Sequence, residues 1–92
     1  MIKSFRHKGL ESFWKTGSTK GIPAQHARRI KRILDLLDAA TSIDELRIPG
    51  FNLHQLKGDR AGTWAITVSG NWRITFEFID GDAYNVDLED YH

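Results

Sequence analysis

The chain has 92 residues, 40% hydrophobic and 27% charged, with a formal net charge of +1, which suits one globular domain with a single modest core. It has no cysteine, which excludes a disulfide framework and a thiolate metal site, and no apolar run long enough for a secretory signal or a membrane span. The near-neutral charge hides an asymmetry: residues 1–34 hold nine Lys/Arg against one acid, and residues 35–92 hold four against eleven. A basic front half fits a polyanionic or acidic partner, and fits equally two halves that neutralise each other across the fold. A reducing, cytoplasmic setting is expected.

Ile2-Lys3-Ser4-Phe5 alternates weakly and reads as a short edge strand. Leu10, Phe13 and Trp14 have helical spacing, and Gly17 follows as a stop. Pro23 suits the first turn of a longer helix. Ala27, Ile30, Leu34 and Leu37 form its buried stripe, with Ile33 beside it, while Arg28, Arg29, Lys31 and Arg32 are expected to make a basic outer surface. Ser42 and Glu45 have the spacing of a capping box for one helical turn. Phe51–Leu56 then alternates as a strand with Phe51, Leu53 and Gln55 on one face. Trp64, Ile66 and Val68 share a face of the next, and Trp72, Ile74, Phe76 and Phe78 make the strongest period-two run. Tyr84, Val86 and Leu88 alternate in the last. Short turns at Ser69-Gly70-Asn71 and Asp80-Gly81-Asp82 imply an antiparallel meander. Helices first and strands later give an α+β class: N-terminal helices on one face of a curved, mainly antiparallel sheet, all in one domain spanning 1–92.

Alternation sends Arg73, Thr75 and Glu77 to the face away from the core, and His54 away from Phe51 and Leu53. Beyond Leu88 the parity of Asp90 and His92 is not set by alternation alone, because strand ends leave the ladder. If the open face is concave, His54, Lys57, Arg73, Tyr91 and His92 line one basic, partly aromatic groove. Such a groove suits a phosphodiester. In metal-free RNA cleavage a base takes the proton of the attacking 2′-hydroxyl and an acid protonates the leaving oxygen. Cations hold the growing phosphoryl charge, and an exposed ring stacks on a base. A solvated polar tail at Asp90-Tyr91-His92 is the plainer alternative.

The whole chain closely resembles the HigB toxins, within the RelE-like superfamily. The resemblance runs through Met1-Ile2-Lys3-Ser4-Phe5, Gly21-Ile22-Pro23-Ala24-Gln25 and Leu53-His54-Gln55-Leu56-Lys57-Gly58-Asp59-Arg60. It continues through Asn71-Trp72-Arg73-Ile74-Thr75-Phe76 and ends on Asp90-Tyr91-His92. It implies the RelE-like microbial ribonuclease fold and a ribosome-dependent endoribonuclease that cuts messenger RNA in the decoding site, with no cofactor and no metal. It implies as partners the ribosome, its messenger RNA and a cognate helix-turn-helix antitoxin of the HigA kind. The family's catalytic pattern falls on His54, Asp90, Tyr91 and His92, with Lys57 and Arg73 as basic members. His54 and His92 are then the acid–base candidates in either order. RNA contacts are expected of Lys57, Arg73, Asn71 and Tyr91, with Arg6 and Lys8 from the N-terminal segment.

Other readings stand beside these. His7 and His26 lack partners at any suggestive spacing and read as surface residues. Arg73 suits a cross-strand ion pair with Glu77 or Asp87. No histidines share ligand spacing on one element, which argues against a metal site. A non-catalytic RNA- or ribosome-binding module would use the same basic groove.

Overall fold

The computed structural model describes residues 1–91. Helix α1 spans Lys8–Thr16 and helix α2 spans Ala27–Ala39, the latter preceded by a 3-10 turn at Ala24–His26. Four strands follow: β1 His54–Gln55, β2 Thr63–Ser69, β3 Trp72–Ile79 and β4 Asp82–Asp90. They form one antiparallel sheet in the order β1-β2-β3-β4. The N-terminal segment runs parallel to β4, bridging Ile2 to Ala83 and Phe5 to Val86, so the expected edge strand is present as two isolated bridges.

The helices form where the sequence provides stops and stripes. His7 caps α1, its Nδ1 accepting the Leu10 N–H at 2.9 Å. This corrects the reading of His7 as a surface bystander: an imidazole lone pair satisfies one of the orphan N–H groups of the first turn. Gly17 ends the helix at φ 81°, donating to the Phe13 carbonyl. Helix α2 buries Ile30, Ile33, Leu34 and Leu37. The Ser42/Glu45 capping box is formed over a 3-10 turn at Ile43–Leu46. Glu45 accepts from the Thr41 and Ser42 N–H groups and the Thr41 hydroxyl, which holds its carboxyl below the usual carboxylate range.

These helices pack Leu10, Phe13 and the α2 stripe against Ile66, Val68, Ile74, Phe76, Val86 and Leu88. The basic surface expected on α2 is smaller than its sequence suggests. Arg29 folds down to the sheet, donating to the carbonyls of Val68 (2.6 Å), Gly50 (2.7 Å) and Thr67 (3.0 Å), and lies over the Phe51 ring. The planar guanidinium, with its fixed fork of donors, ties three carbonyls from separate segments at once.

Three strand expectations change. The strand expected over Phe51–Leu56 shrinks to His54–Gln55. Gly50 (φ 91°) and Asn52 (φ 49°) bend the chain, and Phe51 turns into the core instead of lying on a sheet face. In β4 the register jumps: Thr75 pairs with Asp87, but Glu77 pairs with Tyr84, so β4 carries an extra residue. Asn85, at φ 53°, absorbs it in a conformation asparagine tolerates. Ala83 therefore takes the core position, and Tyr84 moves to the face of Glu77.

A candidate active site on the open face of the sheet

Residues directly opposite in an antiparallel ladder share a face. His54, Ala65, Thr75 and Asp87 form one such row, and Thr67, Arg73 and Glu89 the next. His54 and Arg73 therefore share the open face. His54 and Thr75 are two strands apart, which is about 10 Å.

The His54 Nδ1 lies 2.9 Å from the Asn52 carbonyl. A carbonyl only accepts, so Nδ1 carries the proton and the neutral ring has its lone pair on Nε2. The tight bend at Asn52 is what brings that carbonyl under the ring. Arg73 donates to the carbonyls of Gly70 (2.6 Å) and Trp72 (3.1 Å), so the β2–β3 turn aims its guanidinium. Among the described residues its bonds go to these carbonyls, and it forms no ion pair with Glu77 or Asp87. Tyr91 folds back over it, with the Arg73 guanidinium 5.7 Å from the ring centroid. Asn71 holds this end of the chain through its backbone, accepting the Tyr91 N–H at 2.8 Å.

The remaining expected residues are placed differently. Lys57 is exposed and starts the 3-10 turn Gly58–Arg60. Asp90 pairs with Trp72, which puts it on the alternate face from Glu89 and Arg73. Lys8 is exposed at the start of α1. Arg6 lines a cavity of about 260 Å³ together with Asp59, Arg60, Thr75 and Glu77. His92 lies outside the described residues.

Sequence reasoning missed the group that joins these parts. Arg60 donates two parallel bonds to Glu89, at 2.9 and 2.6 Å, and the buried Thr75 hydroxyl donates to the same carboxylate at 2.6 Å. The Arg60 bonds are the main cause that holds the Glu89 carboxyl below its usual range, and the pair raises the Arg60 guanidinium in turn. Tyr91 also bears on Arg60. Glu89 lies opposite Arg73 on the open face; nothing in the local sequence says that the Arg60 turn reaches it. Among the described residues no group of three His, Cys, Asp or Glu side chains is arranged to hold a metal ion, and no helix is long and apolar enough to cross a membrane.

A four-stranded antiparallel meander backed by two helices, with its basic residues on the open face, is the RelE-like toxin fold. The solved structure of a mutant of YafQ from E. coli matches it with a TM-score of 0.61, over 98% of this chain and 91% of that one, at 16% identity. The family model for the HigB-like toxin, described as the RelE-like toxin of type II toxin–antitoxin system HigB, matches residues 3–92. The chain is 56% identical to endoribonuclease HigB of Proteus vulgaris over the full length of both. It is 34% identical to toxin HigB-1 of Vibrio cholerae serotype O1, over 97% of this chain and 96% of that relative. The chain belongs to the HigB-like toxin family.

Proposed function

We propose that this HigB-like toxin is an endoribonuclease that enters the ribosomal decoding site in the cytoplasm and cuts messenger RNA there, halting translation and growth. The observation that supports this most is the common face of His54, Arg73 and Tyr91. The 2′-hydroxyl of one nucleotide attacks the adjacent phosphorus, the P–O5′ bond breaks, and a 2′,3′-cyclic phosphate and a 5′-hydroxyl result. His54, with its lone pair on Nε2, takes the 2′-hydroxyl proton. His92 supplies the proton to the departing 5′-oxygen. Arg73 and the more mobile cation of Lys57 hold the phosphoryl oxygens. Tyr91 stacks on a nucleotide, and Asp90 orients a neighbouring group.

Affinity comes largely from phosphate contacts, to which Arg6, Lys8 and the exposed Arg28 and Arg32 of α2 contribute. As a toxin of a type II system the chain has an antitoxin partner, and we propose a helix-turn-helix protein of the HigA kind. A single experiment tests the reading. The pure toxin is incubated with messenger RNA, with and without programmed ribosomes, and the RNA ends are mapped. Cuts are expected at defined positions, only with ribosomes, and lost in Arg73→Ala and His54→Ala. Ribosome binding with intact RNA in every arm would leave a non-catalytic binding module instead.

A further inference from the structure

Arg73 and Glu89 stand directly opposite each other on neighbouring antiparallel strands of the open face. Residues so placed have Cβ atoms about 5 Å apart, and opposite charges there stabilise a sheet by pairing. Yet the ion pair that Glu89 makes among the described residues is with Arg60. Both oxygens of its carboxylate are taken: Arg60 donates to Oε1 at 2.9 Å and to Oε2 at 2.6 Å, and the Thr75 hydroxyl donates to Oε2 at 2.6 Å. Arg73 turns instead to the carbonyls of Gly70 and Trp72.

Arg60 reaches Glu89 from the 3-10 turn Gly58–Arg60, across 29 positions of sequence. Its two parallel bonds fix the plane of the carboxylate as well as its position. Thr75 alone would leave Oε1 without a donor, and Glu89 would turn to the cation across the ladder. Arg6, which lines the same cavity as Arg60, adds positive charge to Glu89 at longer range. A carboxylate and a phosphate are both bidentate targets of one guanidinium. A Glu89 paired with Arg73 would therefore compete with phosphate for the same fork, and would offset the charge that steadies the phosphoryl oxygens.

We infer that Arg60 is a positioning residue for RNA cleavage: by clamping Glu89 it keeps that carboxylate off Arg73 and leaves the Arg73 fork to the scissile phosphate. The inference rests on the reading of Arg73 as a phosphate-holding cation. Arg60 acts through Glu89 and touches no reacting atom.

The test is one of suppression. Arg60→Ala removes the clamp and is expected to slow single-turnover cutting of messenger RNA on programmed ribosomes ~10-fold or more, as loss of a charge-assisted contact to the phosphate does. Glu89→Gln breaks the same ion pair but leaves no anion to turn, so it should cost no more than ~3-fold. The double variant Arg60→Ala/Glu89→Gln should recover to within ~3-fold of the unaltered toxin. A merely structural role predicts otherwise, with Glu89→Gln as harmful as Arg60→Ala and the double variant no better than either. Each variant is assayed at a temperature where circular dichroism shows it folded. Arg60→Met, which keeps an apolar stem, replaces Arg60→Ala if that chain does not fold.

A second readout needs no RNA. The Arg73 Nε–H signal of isotope-labelled toxin is followed while inorganic phosphate is added to about 50 mM, the range needed for mM binding. It is expected to respond in the unaltered toxin, ~10-fold more weakly in Arg60→Ala, and fully again in the double variant. A double variant as slow and as unresponsive as Arg60→Ala overturns the inference. So does an Arg60→Ala toxin that cuts RNA and binds phosphate like the unaltered chain. A protein that cuts no RNA but shows the phosphate pattern keeps the clamp and removes the enzyme. One that cuts RNA alike in every variant keeps the enzyme and removes the clamp. An Arg73 that answers phosphate in no variant, in a protein that cuts no RNA, removes both.

Discussion

Replacing Glu89 with Ala should be the most damaging single change on the open face that leaves every expected catalytic residue in place. Glu89 receives two bonds from Arg60 and one from Thr75. The side chains are 39% and 23% exposed, so the pair lies between an exposed ion pair, worth ~0.2–1 kcal/mol, and a buried one. With bidentate geometry, and discounted for that exposure, a coupling of about 1.5 kcal/mol is reasonable. Glu89→Ala also leaves the Thr75 hydroxyl, 1% exposed, without its acceptor. That adds ~1 kcal/mol or more. The total loss is then about 3 kcal/mol, a fall in Tm of roughly 15 °C for a domain of this size. Arg60→Ala should cost less, about 2 kcal/mol, because Glu89 keeps Thr75.

Urea unfolding of the two single variants and the double variant gives the coupling directly. The pH dependence supplies a second check. The folded Glu89 carboxyl titrates below its unfolded value, so its contribution is complete above the ordinary carboxylate range and is lost as pH falls through the lower folded value. The stability gap between the unaltered chain and Glu89→Ala should be constant between about pH 6 and 8 and narrow below about pH 4.5. A coupling under ~0.5 kcal/mol, or a gap unchanged at acid pH, would refute the view that this ion pair ties the Lys57–Arg60 turn to the end of β4.

Gly9→Ala should be severe, because a Cβ there would lie 2.4 Å from the Gly21 carbonyl oxygen; a loss of about 3 kcal/mol is expected, against about 1 kcal/mol for Gly17→Ala, where only the positive φ resists, and denaturant midpoints rank them. His7→Ala should remove the α1 cap and cost about 1 kcal/mol, with recovery in His7→Ser; an equal loss in both variants would show that the imidazole acts by packing. Glu45 holds two backbone amides as a carboxylate with a lowered pKa, so the protection of the Thr41 and Ser42 amides, taken relative to their intrinsic exchange rate, should fall as pH drops through that value and should be low at all pH in Glu45→Ala.

Much of this molecule was legible as a string of residues because the signals are local. The α2 stripe, the Gly17 stop, the Ser42/Glu45 box and the Asp80-Gly81 turn each depend on neighbours within a few positions, and each forms as expected. The period-two runs of β2 and β3 were equally clear, and with them the α+β class. The resemblance to the HigB toxins rested on motifs that the family match then met over residues 3–92. Alternation went astray at Tyr84, because a single inserted residue at Asn85 reverses every face on one side of it, and a bulge is decided by the partner strand.

The candidate site divides in the same way. Arg73 and His54 could be placed on the face away from the core by counting, since strand parity is a property of the backbone. That the Asn52 carbonyl fixes the His54 tautomer required a bend at positive φ that no pattern announces. Arg60 meets Glu89 across 29 positions of sequence, and Arg29 meets Val68 across 39. Long polar side chains choose their partners by distance in the folded state, and no periodicity encodes that. Composition, spacing and parity determined the fold class, and the resemblance carried by the motifs supplied the family and the chemistry expected of Asp90-Tyr91-His92 and its companions. Tertiary structure alone decided how the end of the chain meets that face: it laid Tyr91 over Arg73, set Asp90 on the alternate side of β4, and closed the Arg60–Glu89–Thr75 group, because register and side-chain reach exist only once the strands have paired.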